Sequence, residues 1–306
     1  MEFLKALAAI RNPFCDQLVA AVTLLGEETF FMLVGLLVFW CINKKWGYRF
    51  MVIGLTGSVI NQLLKAIFLI PRPWVLDPEF TIVEAAREAA TGYSFPSGHT
   101  QSAATVFGTL AAWISRKWAT ILCIALIALV GFSRMYLGVH TPLDVGVSFL
   151  TGTITVLGFM WLFKKSENSC RGKMLIGLGS FVLALVLLAY VTLMPAGERN
   201  IAEFDAHGVK NAWTLLGTLG GMLLAWWVDD RHTHFDTKAV WWAQILKLVI
   251  GVALVMAARL ALKPLFAAVF GDHAWTSGLR YFIMAVAGGV LWPMTFGFWG
   301  KLGKQK

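Results

Sequence analysis

Nine stretches of this chain, at about 28–43, 50–70, 98–115, 118–135, 142–163, 174–194, 208–228, 239–262 and 278–299, are apolar over close to the length needed to cross a bilayer. A helix needs roughly 20 mostly apolar residues to span the hydrocarbon core. A helix is also one of only two structures that satisfy their own backbone polar groups there. The other, a barrel, would show alternating segments of ~10 residues, and none occur. The fold expected is therefore an all-α, polytopic transmembrane helix bundle. Composition agrees. The chain is 58% hydrophobic and 14% charged, against roughly 45–50% and about 25% in a soluble domain. That excludes a cytosolic globule, a disordered chain and a disulfide scaffold. The first run is short unless it extends back across Glu27 and Glu28. Residues 3–24 read as an interfacial or half-inserted helix, broken near Arg11-Asn12-Pro13. The N-terminus lacks the ordered regions of a removable signal peptide, and none is expected.

The net charge of +9 invites a nucleic-acid role, but its distribution speaks against one. The loops alternate in character. One set carries Lys44, Lys45, Arg49, Arg116, Lys117, Lys164, Lys165, Arg171, Lys173, Arg231, Lys238, Lys301, Lys304 and Lys306 against four acids, Glu167, Asp229, Asp230 and Asp236. The positive-inside rule puts these loops in the cytoplasm. The opposite set, 71–97, 134–141, 195–207 and 263–277, then faces periplasm, exterior or lumen. The basic surplus reads as a topology signal, and no nucleic-acid partner is expected. Cys15, Cys41, Cys123 and Cys170 lie far apart, with no CxxC or His/Cys cluster, and read as apolar fillers rather than metal ligands or disulfide partners.

Three segments of the non-cytoplasmic set carry the chemistry. In the first, Lys65 and Arg72 are separated by about two helical turns, so both can face one side. Pro71 and Pro73 end the helix and hold Arg72 extended. Alone, the pair reads equally well as two bases snorkelling to the interface. In the second, Phe95-Pro96-Ser97-Gly98-His99, Ser97 is a candidate N-cap, and Gly98 admits close approach of a ligand to the backbone. A helix start suits an anion, and His99 lies beside it in the first turn. The third runs from Ser133-Arg134 to His140-Thr141-Pro142-Leu143-Asp144. Thr141, Pro142 and Asp144 read as a capped helix start. Asp144 is also placed to accept the His140 Nδ1–H and leave Nε2 free as a nucleophile. Three bases, two histidines, an aspartate and an anion-binding helix start thus map to one membrane face, where charge is costly and usually functional. Together they suit a phosphoryl group, one histidine as nucleophile and the other as general acid.

Lys-x6-Arg-Pro, Pro-Ser-Gly-His and Ser-Arg-x5-His-x3-Asp, in this order, resemble the three signature motifs of the type-2 phosphatidic acid phosphatase superfamily. That group includes lipid phosphate phosphatases, glucose-6-phosphatase and vanadium haloperoxidases. The resemblance covers roughly residues 28–164. It implies a metal-independent, cofactor-free hydrolase of a lipid phosphate monoester or diphosphate. His140 would form a phosphohistidine, Asp144 would orient it, and His99 would protonate the leaving oxygen. Lys65, Arg72, Ser97, Gly98 and Arg134 would bind the phosphoryl oxygens. The soluble, vanadate-dependent branch does not fit this composition. A minimal core of the family has about six helices, and this chain adds about four. The domain organisation expected is 1–27 N-terminal helix, 28–165 phosphatase core with the three motifs, and 166–306 C-terminal transmembrane extension of unassigned role. The expected partners are the lipid phosphate substrate and membrane lipids. The rivals are a lipid phosphotransferase built on the same site and a phospholipid transporter or flippase.

Other residues carry weaker signals. Glu27 and Glu28 read first as first-turn acids, and Trp74, Tyr93 and Tyr136 as interfacial aromatics. Asp77, Glu79, Glu84, Arg87 and Glu88 form a charged outer loop. His232 and His234, with Asp229, Asp230 and Asp236, resemble a metal cluster without defined ligand spacing, and a solvated loop is the preferred reading. Arg259, Lys263 and Arg280 read as snorkelling bases.

Overall fold

The computed structural model describes residues 1–87, 90–194 and 202–302, with side chains from 207 onward in the last stretch. Glu88 of the charged loop, Lys304 and Lys306 of the basic set, and 195–201 of the loop at 195–207 lie outside the described residues. All regular structure among the described residues is helical, as the apolar runs require. The helices are α1 (Glu2–Ala9), α2 (Pro13–Thr23), α3 (Glu28–Leu37), α4 (Lys44–Phe68), α5 (Pro73–Leu76), α6 (Gly98–Ile114), α7 (Lys117–Tyr136), α8 (Pro142–Lys165), α9 (Cys170–Leu193), α10 (Ala202–Val228), α11 (Trp241–Phe270), α12 (Ala274–Val286) and α13 (Phe296–Trp299).

The boundaries follow local chemistry. Asn12 caps α2, its Oδ1 accepting from Cys15 N–H at 3.0 Å, and Pro13 fills the first helical position. This is the break expected near Arg11-Asn12-Pro13. Leu69, in the left-handed region at φ 50°, ends α4 and is followed by Pro71 and Pro73 around an extended Arg72. Ser115, at φ 52°, closes α6. Thr141 and Asp144 form a reciprocal box at the start of α8. The Thr141 N–H donates to Asp144 Oδ2 at 2.7 Å, and the Asp144 N–H donates to Thr141 Oγ1 at 3.2 Å.

Every apolar run of the sequence is helical, but the runs are not equivalent as spans. Among the described residues, six helical stretches are long and apolar enough to cross a membrane: Lys44–Leu76, Lys117–Tyr136, Pro142–Lys165, Cys170–Leu193, Trp241–Phe270 and Ala274–Trp299. Pro13–Gly26 and Glu28–Ile42 qualify only as a pair, bent by 50° and amounting to a seventh span or a re-entrant loop. Gly98–Ile114 is not among the six. It has 17 residues, and Thr100, Gln101, Ser102, Thr105 and Thr109 make it polar as well as short. Ala202–Val228 is also outside the six. The spans expose large apolar side chains such as Ile121, Leu157, Trp161 and Leu260, a surface suited to lipid rather than to water.

The chain divides into two compact units, one of residues 1–31, 56–160 and 189–208, the other of 32–55, 161–188 and 209–306. In the first, α6 packs along α7, and small residues bring helices close. A Cβ at Gly131 would lie 2.7 Å from Val145 Cγ1. Ala86, Ala90, Tyr136, Leu137 and Val139 form a buried cluster, joined by Val19, Trp74 and Val83. In the second unit, Trp40 is fully buried and its Nε1–H donates to the Gly288 carbonyl at 2.9 Å. Tyr48 stacks on Trp226 at 4.7 Å. Lys247, mid-span in sequence, is fully buried; its ammonium donates to the Thr237 carbonyl at 2.9 Å and lies over the Phe296 ring. Asp229, of the suspected metal cluster, is bound instead to Lys44 at 3.0 Å and accepts from Thr233 Oγ1 and the Phe235 N–H.

Candidate active site

The first compact unit gathers the three motifs around a buried group of cations. Lys65, in the last turns of α4, is 6% exposed, and its ammonium donates to the carbonyls of Tyr93 and Ser94. Arg72, 5% exposed, is held by a fan of carbonyls: Nε donates to Gly92 at 3.0 Å, one terminal nitrogen to Thr91 at 2.8 Å, the other to Val139 at 3.0 Å. The segment 91–94 therefore wraps both cations with main-chain oxygen. Gly92, at φ 63°, lets the backbone turn there. Buried charge needs such partners, and neutral carbonyls supply them while leaving the positive charge uncancelled.

His140 lies between opposite partners. Its Nε2 is 2.9 Å from an Arg72 terminal nitrogen, and its Nδ1 is 3.4 Å from Asp144 Oδ2. Arginine can only donate, so Nε2 accepts and the ring proton belongs on Nδ1, toward the carboxylate. Burial first, then the Arg72, Lys65 and Arg134 charges, hold the His140 imidazole well below its ordinary pKa. It is neutral, with the lone pair on the nitrogen that faces the cations. The same Asp144 oxygen accepts the Ser94 hydroxyl at 2.6 Å and the Thr141 N–H at 2.7 Å. Ser94 Oγ is also 3.4 Å from His140 Nδ1. A serine three residues ahead of Ser97 thus joins the His–Asp pair. Neither spacing nor residue type singled it out.

Arg134 and His99 complete the group. Arg134 is fully buried near the end of α7; one terminal nitrogen donates to Thr23 Oγ1 at 2.8 Å, while Nε and the other terminal nitrogen are buried without a hydrogen-bond partner. His99 Nε2 is likewise buried and unpartnered, and the charges acting on this ring are Arg134, Arg72 and Lys65. Ser97 behaves as the expected cap: its Oγ accepts from the Thr100 N–H at 3.4 Å and the Thr100 hydroxyl at 3.0 Å. The Ser97 N–H is spent on the Asp144 carbonyl at 3.2 Å, which ties the second motif to the third. A Cβ on Gly98 would meet only Asn61 Oδ1, at an ordinary 3.6 Å. Asn61 in turn donates to the Pro96 carbonyl at 3.3 Å, a brace between α4 and the second motif that sequence did not suggest. Of the weaker signals, Trp74 stands beside the site, its ring under both the Arg72 and Arg87 guanidinium groups. Tyr136 is buried, its hydroxyl donating to Asp16 at 2.9 Å. Arg259 and Lys263 are exposed.

Residues 45–168 match the family model described as the PAP2 superfamily, and residues 213–304 match one described as PAP2 superfamily phosphatase, transmembrane extension. With its six apolar helices, the chain is an integral multi-pass membrane protein. It is 29% identical over 166 residues to phosphatidylglycerophosphatase B of Bacillus subtilis, covering 49% of this chain and 76% of that one. It is 28% identical over 235 residues to a probable sphingosine-1-phosphate phosphatase of Dictyostelium discoideum, covering 72% and 56%. It is 31% identical over 128 residues to an undecaprenyl-diphosphatase of Sulfolobus acidocaldarius, covering 42% and 60%. The chain thus spans less than two thirds of the second and third of these relatives. No solved structure matches.

Proposed function

The chain belongs to the PAP2 superfamily, and from that premise we propose that it is a membrane-embedded phosphoric-monoester hydrolase acting on a lipid phosphate or diphosphate from the non-cytoplasmic face. The observation that carries this reading is the placement of His140. Its Nδ1 faces Asp144 and its Nε2 faces the Arg72 guanidinium, all three side chains being buried. A phosphoryl group drawn to Lys65, Arg72 and Arg134 takes over the Arg72 N–H and meets the freed lone pair of Nε2.

The steps then balance. His140 Nε2 attacks phosphorus, and the bond from phosphorus to the lipid oxygen breaks. The leaving oxygen takes a proton from His99, whose Nε2 is buried and unpartnered in the free site and is protonated once the phosphoryl group has brought its negative charge in among Lys65, Arg72 and Arg134. Asp144 stabilises the positive charge that develops on the His140 ring. His99, now neutral, removes a proton from water. That water attacks the phosphohistidine, the N–P bond breaks, and inorganic phosphate leaves. Lys65, Arg72 and Arg134 meet the charge on the equatorial oxygens, the role a metal ion plays elsewhere. A site reached from within the bilayer suits a substrate whose tail stays there. The relatives named for phosphatidylglycerol phosphate, sphingosine 1-phosphate and undecaprenyl diphosphate define the substrate panel. The alternation of basic and chemistry-bearing loops supports the non-cytoplasmic placement.

The test is phosphate release by the purified full chain in detergent with excess EDTA, over those three lipids, phosphatidic acid and glucose 6-phosphate. Release that persists in EDTA and falls to background in His140→Ala is expected. Release abolished by EDTA, or equal in the variant, overturns the mechanism. If no substrate turns over, phosphotransfer to another acceptor or lipid transport replaces the hydrolase reading.

A further inference from the structure

We infer that the N-terminal segment, residues 1–27, is a working part of the phosphoryl site, with Thr23 the positioning residue for Arg134. The inference rests on the hydrolase reading for the role of Arg134. It concerns residues that precede the matched family domain at 45–168.

Arg134 presents five N–H donors on a planar fork. Thr23 Oγ1, at 2.8 Å, is the sole hydrogen-bond acceptor found for that fork among the described residues, and Nε and the other terminal nitrogen stay unpartnered though buried. One bond through a terminal nitrogen orients the fork while leaving Nε and the other terminal nitrogen for phosphoryl oxygens. Thr23 is 7% exposed, at the last position of α2.

The helix is fixed independently against the end of α7 that carries Arg134. Arg11 Nε donates to the Tyr136 carbonyl at 2.8 Å, and an Arg11 terminal nitrogen donates to the Thr81 carbonyl at 2.6 Å. The Tyr136 hydroxyl donates to Asp16 on α2 at 2.9 Å. Gly138, at φ 82°, leaves room for the Arg11 guanidinium, which a Cβ there would approach to 2.8 Å. The turn after α2 then reaches the second histidine. A Cβ on Gly26 would lie 2.8 Å from the His99 carbonyl oxygen and 3.0 Å from His99 Cβ. One continuous segment therefore touches Arg134 by a hydrogen bond and His99 by backbone packing.

The test compares Thr23→Val, which keeps the branched shape and removes the hydroxyl, with Thr23→Ser, which keeps the hydroxyl. Both are made in the full chain, in detergent, on the substrate that wild type turns over best. A hydrogen bond to a charged group is worth enough to expect KM, and the Ki for inorganic phosphate, to rise about tenfold in Thr23→Val. Because the contact serves phosphoryl binding in ground and transition states alike, kcat stays within about threefold. Thr23→Ser stays within about twofold of wild type. In an Arg134→Lys background, Thr23→Val adds less than about twofold, since the two residues act as one unit. A wild-type Ki in Thr23→Val overturns the inference. So does equal impairment of both variants in step with a lowered thermal midpoint, which marks mere packing. Stabilisation of the purified chain by inorganic phosphate, read as a midpoint shift, separates this inference from the hydrolase reading. If wild type hydrolyses no lipid but shows a phosphate shift that Thr23→Val loses, the inference stands and the hydrolase reading fails. If wild type neither hydrolyses nor responds to phosphate, both fall.

Discussion

At the scale of single residues, the proposed site surrounds its buried cations and carboxylate with neutral donors and acceptors. Asp144 Oδ2 is shared among the Ser94 hydroxyl, the Thr141 N–H and His140 Nδ1, the last at the longest distance, 3.4 Å. Such contacts commonly tighten only when substrate is bound. Removing the Ser94 hydroxyl leaves the carboxylate free to shift from the histidine. Ser94→Ala is therefore expected to lower kcat/KM by roughly tenfold or more, from the ~1.5–3 kcal/mol of a hydrogen bond to a charged group. Steady-state kinetics on the best lipid substrate check this. The neutral burial of His140 also makes stability depend on pH. Its folded pKa lies below the ordinary value, about 6.5 in an unfolded chain. Between the two values the unfolded state binds the proton and the native state does not, so stability falls as pH drops below about 6.5. The thermal midpoint in detergent is expected to decline on acidification, and less steeply in His140→Asn. Parallel curves for the two proteins would refute this.

At the scale of elements, the helices of the proposed site are set by caps and by close crossings rather than by apolar length. α6 carries Ser97, Gly98 and His99 on a run of 17 residues that is short and polar for a span. It stays in place through α7, α8 and the turn at Leu24–Gly26. α7 and α8 meet where Gly131 faces Val145. Gly131→Val brings a side chain into that contact, 2.7 Å at its Cβ alone, and is expected to cost about 1–3 kcal/mol by overpacking. A fall in the thermal midpoint together with lower activity is the expected result, because Arg134 and Asp144 sit on the two helices concerned. The start of α2 offers a milder change. Asn12→Ala removes its cap, worth about 1 kcal/mol.

At the scale of the whole molecule, the proposed topology sets which side each loop meets. Cys170 is exposed and is the first residue of α9, next to the basic end of α8. Glu79 is exposed in the loop that carries the first motif. In a background with Cys15, Cys41 and Cys123 replaced by serine, a membrane-impermeant maleimide applied to intact cells is expected to leave Cys170 unlabelled until the membrane is opened. Introduced into a Cys170→Ser version of that background, Glu79→Cys is expected to label at once. The reverse pattern would place the site in the cytoplasm.

The apolar runs, their breaks and the three motifs were all legible in the linear chain. Each depends on residues near one another in sequence: a span on consecutive apolar residues, a cap on positions three apart, a His–Asp pair on positions four apart. Lys65, Arg72, His99, Arg134, His140 and Asp144 could be named for the same reason. The number of helices fit to cross the membrane could not be settled that way. The difference lies in the bend between α2 and α3, in the short and polar α6, and in α10, which also falls outside the six. Only the tertiary structure supplied Ser94, Asn61 and Thr23. Each acts across a long sequence separation, 50 residues from Ser94 to Asp144, 35 from Asn61 to Pro96 and 111 from Thr23 to Arg134. The carbonyls of residues 91–94 that hold Lys65 and Arg72 were equally hidden, because every residue has a carbonyl and no side chain marks the ones that will be used. Sequence determines which chemistry the chain carries and where its helices begin; folding alone decides which neutral groups hold that chemistry in place.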